Sequence, residues 1–241
     1  MKSVYNKNIE LRTSDFNKFG ILHSSSILDL FQEAAGTHAK LLGSGFEDML
    51  KKDIIWVLTK VKFQVNKYPQ MHSTVTVKTW PLQPQKATYL REYEVFDAKT
   101  GELLIIGSSE WVLINVKTRK LITGIDVYGF ESSDYFNEKC FDGKFKRLKV
   151  PENSVLKNTV CPDFRNIDIN GHVNNTVYAD FVFNSLEVLQ DKPLKYMQID
   201  YHKEIFEGEK EFIYAAQINN ECFAYGKSDS GNVNFVCYTL F

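Results

Sequence analysis

The sequence predicts an α+β chain in which one supersecondary unit, a buried helix followed by antiparallel strands, is used twice. Three observations carry this: a long apolar helical segment after Ser24, a run of alternating β-rich segments behind it, and the return of the same order after residue 150. The chain has 241 residues, room for one large domain or two small ones. The division expected is a first unit over 1–125, a linker over 126–149 and a second unit over 150–241.

The first helix is read from Ile27, Leu28, Leu30, Phe31, Ala34, Ala35, Ala39, Leu41 and Leu42, which recur at helical spacing. Ser24, Ser25 and Ser26 can cap its start, with Asp29 three residues after Ser26, and Gly43 can close its end. It is apolar on most sides, so extensive burial is expected, with Ala34, Ala35 and Gly36 letting a sheet approach closely. Strands follow from Trp56, Ser73, Thr88 and Leu103, rich in β-branched and aromatic residues. The DAKTG run at Asp97–Gly101 marks a tight turn. The stretch 126–149 loses the alternation and fills with Asp, Ser, Asn and Lys, hence the linker.

The plan then restarts. Asp15-Phe16 is echoed by Asp163-Phe164, a second apolar helix begins near Thr176 (TVYADFVFNSLEVL), and strands follow from Lys195 (KYMQIDYHKEI), Glu211, Glu221 and Asn232.

Composition narrows the function. Hydrophobic residues make up 44% and charged residues 24%, ordinary for a globular protein. Eighteen Phe and twelve Tyr supply bulky core material. A net charge of −1 argues against nucleic acid as a partner, because phosphate neutralisation needs a basic excess. No segment approaches the roughly 20 apolar residues of a membrane span, and the N-terminus carries no apolar run of signal-peptide length. Cys140, Cys161, Cys222 and Cys237 show no CxxC pairing, which suggests reduced, buried or half-buried thiols in a cytoplasmic protein.

One stretch can carry chemistry: DFRNIDINGHVNNTVY, Asp163–Tyr178. In an extended backbone Asp168, Asn170, His172 and Asn174 share one face just ahead of the second helix. A carboxylate, an amide and an imidazole together supply a base, a donor and a polariser. Structural roles compete for each: Asn170-Gly171 is a turn dipeptide, Asn174 or Asn175 can cap the helix, Asp168 can satisfy loop amides, and His172 can be a packed histidine. Without gaps the four polar residues fall opposite Gly20, Leu22, Ser24 and Ser26 of the first copy, so the polar cluster exists once only. There is no GxSxG elbow and no GxGxxG; Gly226-Lys227-Ser228 lacks the leading glycine of a P-loop, since position 221 is Glu. The five histidines form no metal-ligand spacing, so no metal and no cofactor are expected.

These residues resemble a known family. Asp168-Ile-Asn170-Gly-His172-Val-Asn174-Asn175-x-x-Tyr178 is similar to the D-x-N-x-H-V-N-N-x-x-Y signature of acyl-ACP thioesterases from plants and bacteria. The run from Glu110 through Asn115, Thr118, Arg119 and Leu121 resembles the family's W-V-x-x-N-x-x-T-R-x-L segment, preceded by its T-G-E turn. Ile199–Glu204 resembles its L-E-Y-R-R-E segment.

The resemblance implies a tandem hot-dog fold, with two long central helices each wrapped by an antiparallel sheet and the sheets joined side by side. It implies hydrolysis of the thioester between a fatty acyl chain and the phosphopantetheine of acyl carrier protein. It assigns Asp168, Asn170, His172 and Glu204 as the catalytic set, with Asn174, Asn175 and Tyr178 beside the substrate. The acyl slot is expected in the first unit, with Ile27, Leu28, Phe31 and Trp56 as candidate lining and room beside Ala35 and Gly36. Plant members carry Cys directly after the matched Glu. Ile205 stands there in this chain, so a direct attack by water is expected. Lys139, Lys144, Lys146, Arg147 and Lys149 form a basic cluster that is either a solvated face or a docking patch for the acidic carrier protein. Alternatives are an acyl-CoA thioesterase on the same fold, a hydratase, and a non-catalytic acyl-binding module. With two copies in one chain, a monomeric pseudo-dimer or a homodimer are both compatible.

Overall fold

The computed structural model describes residues 3–124, 126–186 and 192–241. The chain divides into two compact units, Met1–Asp15 with Leu28–Lys144, and Phe16–Ile27 with Phe145–Phe241.

In the first unit, five antiparallel strands run in the order β1-β3-β4-β5-β2: β1 Tyr5–Glu10, β2 Ile54–Val65, β3 Thr74–Pro81, β4 Tyr89–Asp97 and β5 Leu103–Asn115. The short β6 Leu121–Ile122 pairs with β5. β1, which the alternation does not reveal, is an edge strand with Asn6, Asn8 and Glu10 exposed. Its Lys7 reaches Glu33 and Thr37 on the helix α1, Ser24–Leu41. That helix ends as its sequence indicates. Gly43 adopts φ +68°, its N–H donates to Lys40 O and that of Ser44 donates to Ala39 O, which together satisfy two end carbonyls. A short helix α2, Phe46–Leu50, precedes β2.

The expected burial of α1 on most sides is corrected: Gln32, Glu33, Gly36, Lys40 and Leu41 are exposed, so the helix is amphipathic. Gly36 faces outward and leaves no room against the sheet. Gly107 on β5 does that instead. Phe31 stacks on Tyr93 with centroids 4.3 Å apart, and a Cβ at position 107 would collide with the Phe31 ring. Gly107→Ala should therefore cost about 1–3 kcal/mol of unfolding free energy through overpacking; an unchanged denaturant midpoint would show the contact to be loose.

Two segments of the family pattern are turns. Asp97 Oδ1 accepts the N–H groups of Lys99 and Thr100, and Asn115 Oδ1 accepts those of Lys117 and Thr118. Arg119, at φ +54°, closes the second by donating to Asn115 O.

Residues 126–144, which composition presents as linker, are irregular yet packed on the first unit. Tyr135 is buried, Trp80 Nε1 donates to Glu138 O, and the Cys140 amide donates to Glu92 Oε2. Lys62 Nζ donates to Gly143 O. The polar composition reflects a strap that satisfies buried donors and acceptors with its main chain.

In the second unit, β7 Val155–Val160, β8 Tyr196–Tyr201, β9 Glu211–Ile218, β10 Glu221–Ser228 and β11 Val233–Leu240 run antiparallel in the order β8-β11-β10-β9-β7. The helix α3, Val177–Ser185, lies on them through Tyr178, which packs edge-on against Tyr201 of β8 and Phe235 of β11. It has nine residues where the sequence suggests a longer element; the later part of that expectation, 187–189, lies outside the described residues. β8 is also shorter than the alternation from Lys195 implies. It stops at Tyr201 because the next two amides, His202 and Lys203, both donate to the single carbonyl of Asn234. Glu204 is thus on a loop, three residues beyond the strand on which it is expected.

Cys222 and Cys237 are buried and Cys140 half-buried, while Cys161 is exposed, against expectation. No described helix is long and apolar enough to cross a membrane.

Candidate active site

The polar stretch ahead of α3 is a tight hairpin, not the extended run that would align alternate residues. Ile167 bridges Val173, Asp168 N–H donates to His172 O, and Gly171 N–H donates to Asp168 O. Gly171 sits at φ +84°, where a side chain would be strained. The turn brings Asp168 and His172 together.

Asp168 Oδ1 accepts Asn170 N–H at 2.8 Å, and its Oδ2 accepts Asn170 Nδ2 at 3.1 Å. Asn170 is exposed, and its amide serves Asp168. His172 Nδ1 lies 3.3 Å from Val173 O and 3.8 Å from Asp168 Oδ1. On its other side, His172 Nε2 lies 4.0 Å from Glu204 Oε1. The imidazole thus sits between two carboxylates, at separations longer than direct hydrogen bonds. All three are semi-exposed, their side chains 19% (His172), 18% (Asp168) and 32% (Glu204) accessible. Phe164 and Ile169 stand out at the hairpin, 85% and 81% exposed.

The hairpin has a twin. Phe16 bridges Leu22, Asn17 N–H donates to Ile21 O, and Gly20 N–H, at φ +73°, donates to Asn17 O. The turns before them match too: Asp15 Oδ2 accepts Arg12 N–H, as Asn166 Oδ1 accepts Asp163 N–H. This corrects the register read without gaps. Asp168 corresponds to Asn17, Asn170 to Phe19 and His172 to Ile21, and the echo of Asp15-Phe16 in Asp163-Phe164 is fortuitous.

Several residues hold the Glu204 loop. Val173 N–H donates to Ile205 O at 2.8 Å, and the Ile205 amide donates to the Tyr178 hydroxyl. Burial pushes the Tyr178 phenol well above its usual range, so it stays protonated. Ile205 is fully buried, so a side chain at this position points into the core.

The residues expected beside the substrate serve their own chain. Asn174 Oδ1 accepts the Thr176 amide at 3.1 Å, satisfying a donor at the start of α3. Asn175 O accepts the Tyr201 hydroxyl at 2.8 Å, and Tyr178 anchors Ile205. Sequence gives no signal for Tyr201 or Asn234, whose partners are distant in the chain.

In the first unit, Leu28 and Phe31 are buried and Trp56 donates from Nε1 to Ser44 O at 2.9 Å, in an aromatic group with Tyr89, Trp111 and Tyr128. Ile27 is fully buried and falls in the second unit. The expected lining residues are packed side chains. A cavity of about 500 Å³ in the first unit is bordered instead by Tyr5, His38, Leu41, Leu42, Tyr128 and Phe130 among others. Among the described residues no three His, Cys, Asp or Glu side chains gather as a metal ion requires.

Comparison with known proteins identifies the family of this two-unit chain. Residues 2–126 match the acyl-ACP thioesterase N-terminal domain, and residues 151–233 the acyl-ACP thioesterase C-terminal domain. The chain belongs to the acyl-ACP thioesterase family. It is 32% identical over 191 residues to a chloroplastic acyl-[acyl-carrier-protein] hydrolase of Cuphea viscosissima, covering 74% of this chain and 46% of that one. It is 30% identical over 214 residues to the chloroplastic palmitoyl-acyl carrier protein thioesterase of Arabidopsis thaliana, covering 83% and 52%. The chain thus spans about half the length of the curated relatives it matches. In fold it resembles an acyl-ACP thioesterase from Bacteroides thetaiotaomicron, with a TM-score of 0.89, 24% identity and 99% and 98% of the two chains covered. The 12:0-ACP thioesterase from Umbellularia californica gives a TM-score of 0.86 at 24% identity, covering 98% and 96%.

Proposed function

We propose that this chain hydrolyses fatty acyl-ACP thioesters to free fatty acid and acyl carrier protein. The observation that carries the reading is the convergence of Asp168, His172 and Glu204 on one hairpin and one loop of the second unit. Glu204 takes a proton from water as that water attacks the thioester carbonyl. His172, aligned by Asp168, donates to the oxygen on which charge develops, and Asn170 holds Asp168 in place. Collapse of the tetrahedral intermediate breaks the C–S bond and releases the carrier thiol, which recovers the proton. A placed base contributes about 10²–10⁴ in rate and a placed donor about 10²–10³. No covalent step at position 205 is available, since Ile205 offers no nucleophile.

The acyl chain is proposed to lodge in the first unit, where a cavity of about 500 Å³ is bordered by Tyr5, Leu41, Leu42, Tyr128 and Phe130 among others. Carrier docking is proposed through the exposed cations Lys139, Lys144, Lys146, Arg147 and Lys149. Reversing Arg147 and Lys149 to Glu should raise KM for acyl-ACP several-fold at low salt and much less at high salt; an unchanged KM at low salt would remove the docking assignment.

The deciding test is a thiol-release assay with acyl-ACP and acyl-CoA across chain lengths. Faster turnover of acyl-ACP than of the matching acyl-CoA is expected. Preference for acyl-CoA would move the substrate class, and no thiol release from either would refute the hydrolase reading.

A further inference from the structure

We propose that Glu211 is a positioning residue for Glu204, acting through Asn234; the inference rests on the reading of Glu204 as the base. Glu211 opens β9 and is fully buried. Its Oε2 accepts Asn234 Nδ2 at 2.8 Å, while Oε1 has no hydrogen-bond partner among the described residues. Asn234, buried on β11, presents its own carbonyl to the loop and accepts His202 N–H at 2.8 Å and Lys203 N–H at 3.0 Å. Those are the last two amides before Glu204. The carboxylate thus fixes the Asn234 residue that holds the loop.

A second path reaches the other side of Glu204. A Cβ at Gly226 on β10 would collide with both Glu211 Oε1 and the Phe235 ring. Phe235 packs edge-on to Tyr178, 5.2 Å between centroids, and the Tyr178 hydroxyl accepts the Ile205 amide. Residues 202–203 and 205 are therefore both held by groups that meet around Glu211. The sheet alone does not call for a carboxyl here: an apolar residue would fill the start of β9 without burying an unpaired oxygen.

The groups facing Glu211 are Asn234 and Phe235 from β11, Gly226 and Ser228 from β10, Val160 from β7 and Tyr178 from α3, with Glu209 adding like charge from the preceding loop. Burial pushes the carboxyl up to about 7, so both its forms are populated near neutral pH. The Asn234 bond is stronger to the charged form.

Amide hydrogen exchange on the full chain tests the anchor without relying on activity. In Glu211→Val the His202 and Lys203 amides are expected to exchange at least about tenfold faster, with β8 amides such as Ile199 unchanged. Asn234→Ala should do the same, and the double variant no more than either single. In hydrolysis of acyl-ACP, Glu211→Val should lower kcat about tenfold with little change in KM, as expected for a displaced base. Glu211→Gln keeps an acceptor and removes the ionisation, so the rise of wild-type kcat through pH 7 should vanish in it. Unchanged exchange at His202 and Lys203 in folded Glu211→Val, or the same pH limb in Glu211→Gln, overturns the proposal. Should Glu211→Val not fold, exchange at the same two amides and the pH profile of Glu211→Gln decide. A wild-type protein inert toward acyl-ACP would sink the hydrolase reading, while the exchange result would still judge the anchor.

Discussion

Glu204→Gln is expected to lower kcat for acyl-ACP by about 10²–10⁴, the contribution of a placed general base, with KM little changed. Gln retains the volume of Glu and its hydrogen-bonding reach but takes no proton from water. The fold should be indifferent. Glu204 is on a loop, its side chain 32% exposed, and the loop is held by the main chain of Val173 and Asn234 and by Tyr178, none of which uses the Glu204 carboxylate. A stability change within about 0.5 kcal/mol is the expectation for such a position. Steady-state kinetics paired with a thermal melt separates the two effects. Full activity in a folded Glu204→Gln protein would move the base to Asp168 or elsewhere. A loss of activity that tracks a loss of folding would leave Glu204 as a structural residue.

The second large effect concerns stability and pH. Burial raises the Glu211 carboxyl from about 4.5 to about 7; the Asn234 hydrogen bond opposes this and Glu209 reinforces it. The folded chain therefore holds a proton on Glu211 that the unfolded chain has released between those two values. Its contribution to stability is complete below pH 4.5, is lost as pH rises toward 7, and is constant above. A shift of this size corresponds to about 3 kcal/mol. Glu211→Gln removes the titration, so its unfolding free energy relative to wild type should climb by about that amount between pH 4.5 and pH 8. Gln brings its own offset from a buried amide, which does not vary with pH, so the slope carries the information. Urea unfolding of both proteins across this range would measure it. Parallel curves would mean that Glu211 titrates at its ordinary value and that water reaches it.

Much of the fold was legible from local signals. α1 announces itself by spacing and by Gly43, which adopts the left-handed turn its position suggested, and β2 to β5 and β9 to β11 follow from alternation and turn residues. β1 was missed because it is short and polar on its exposed side, and β7 because Val155, Leu156 and Lys157 are all exposed, so no apolar–polar alternation marks it. The end of β8 was misjudged because the apolar–polar rhythm continues through YHKEI, whereas the strand is cut by the Asn234 carbonyl, thirty-odd residues later. Asp168 and His172 were found as a group for an incorrect geometric reason: Asn170-Gly171 makes a turn, and the turn gathers what extension would have spread. Glu211 carried no local signal at all. Its meaning depends on Gly226 and Asn234, which only the folding of three strands brings to its side.

The paired hairpins have an evolutionary consequence. Their shape is written in main-chain hydrogen bonds, a left-handed glycine, Gly20 in one and Gly171 in the other, and one side-chain oxygen, that of Asn17 or Asp168, which accepts the amide two residues on, so the remaining side chains at the tip are free to change without redrawing the loop. Asn17, Phe19 and Ile21 occupy in one copy what Asp168, Asn170 and His172 occupy in its twin. One backbone shape thus carries two different sets of tip side chains, and point substitutions alone convert one set into the other.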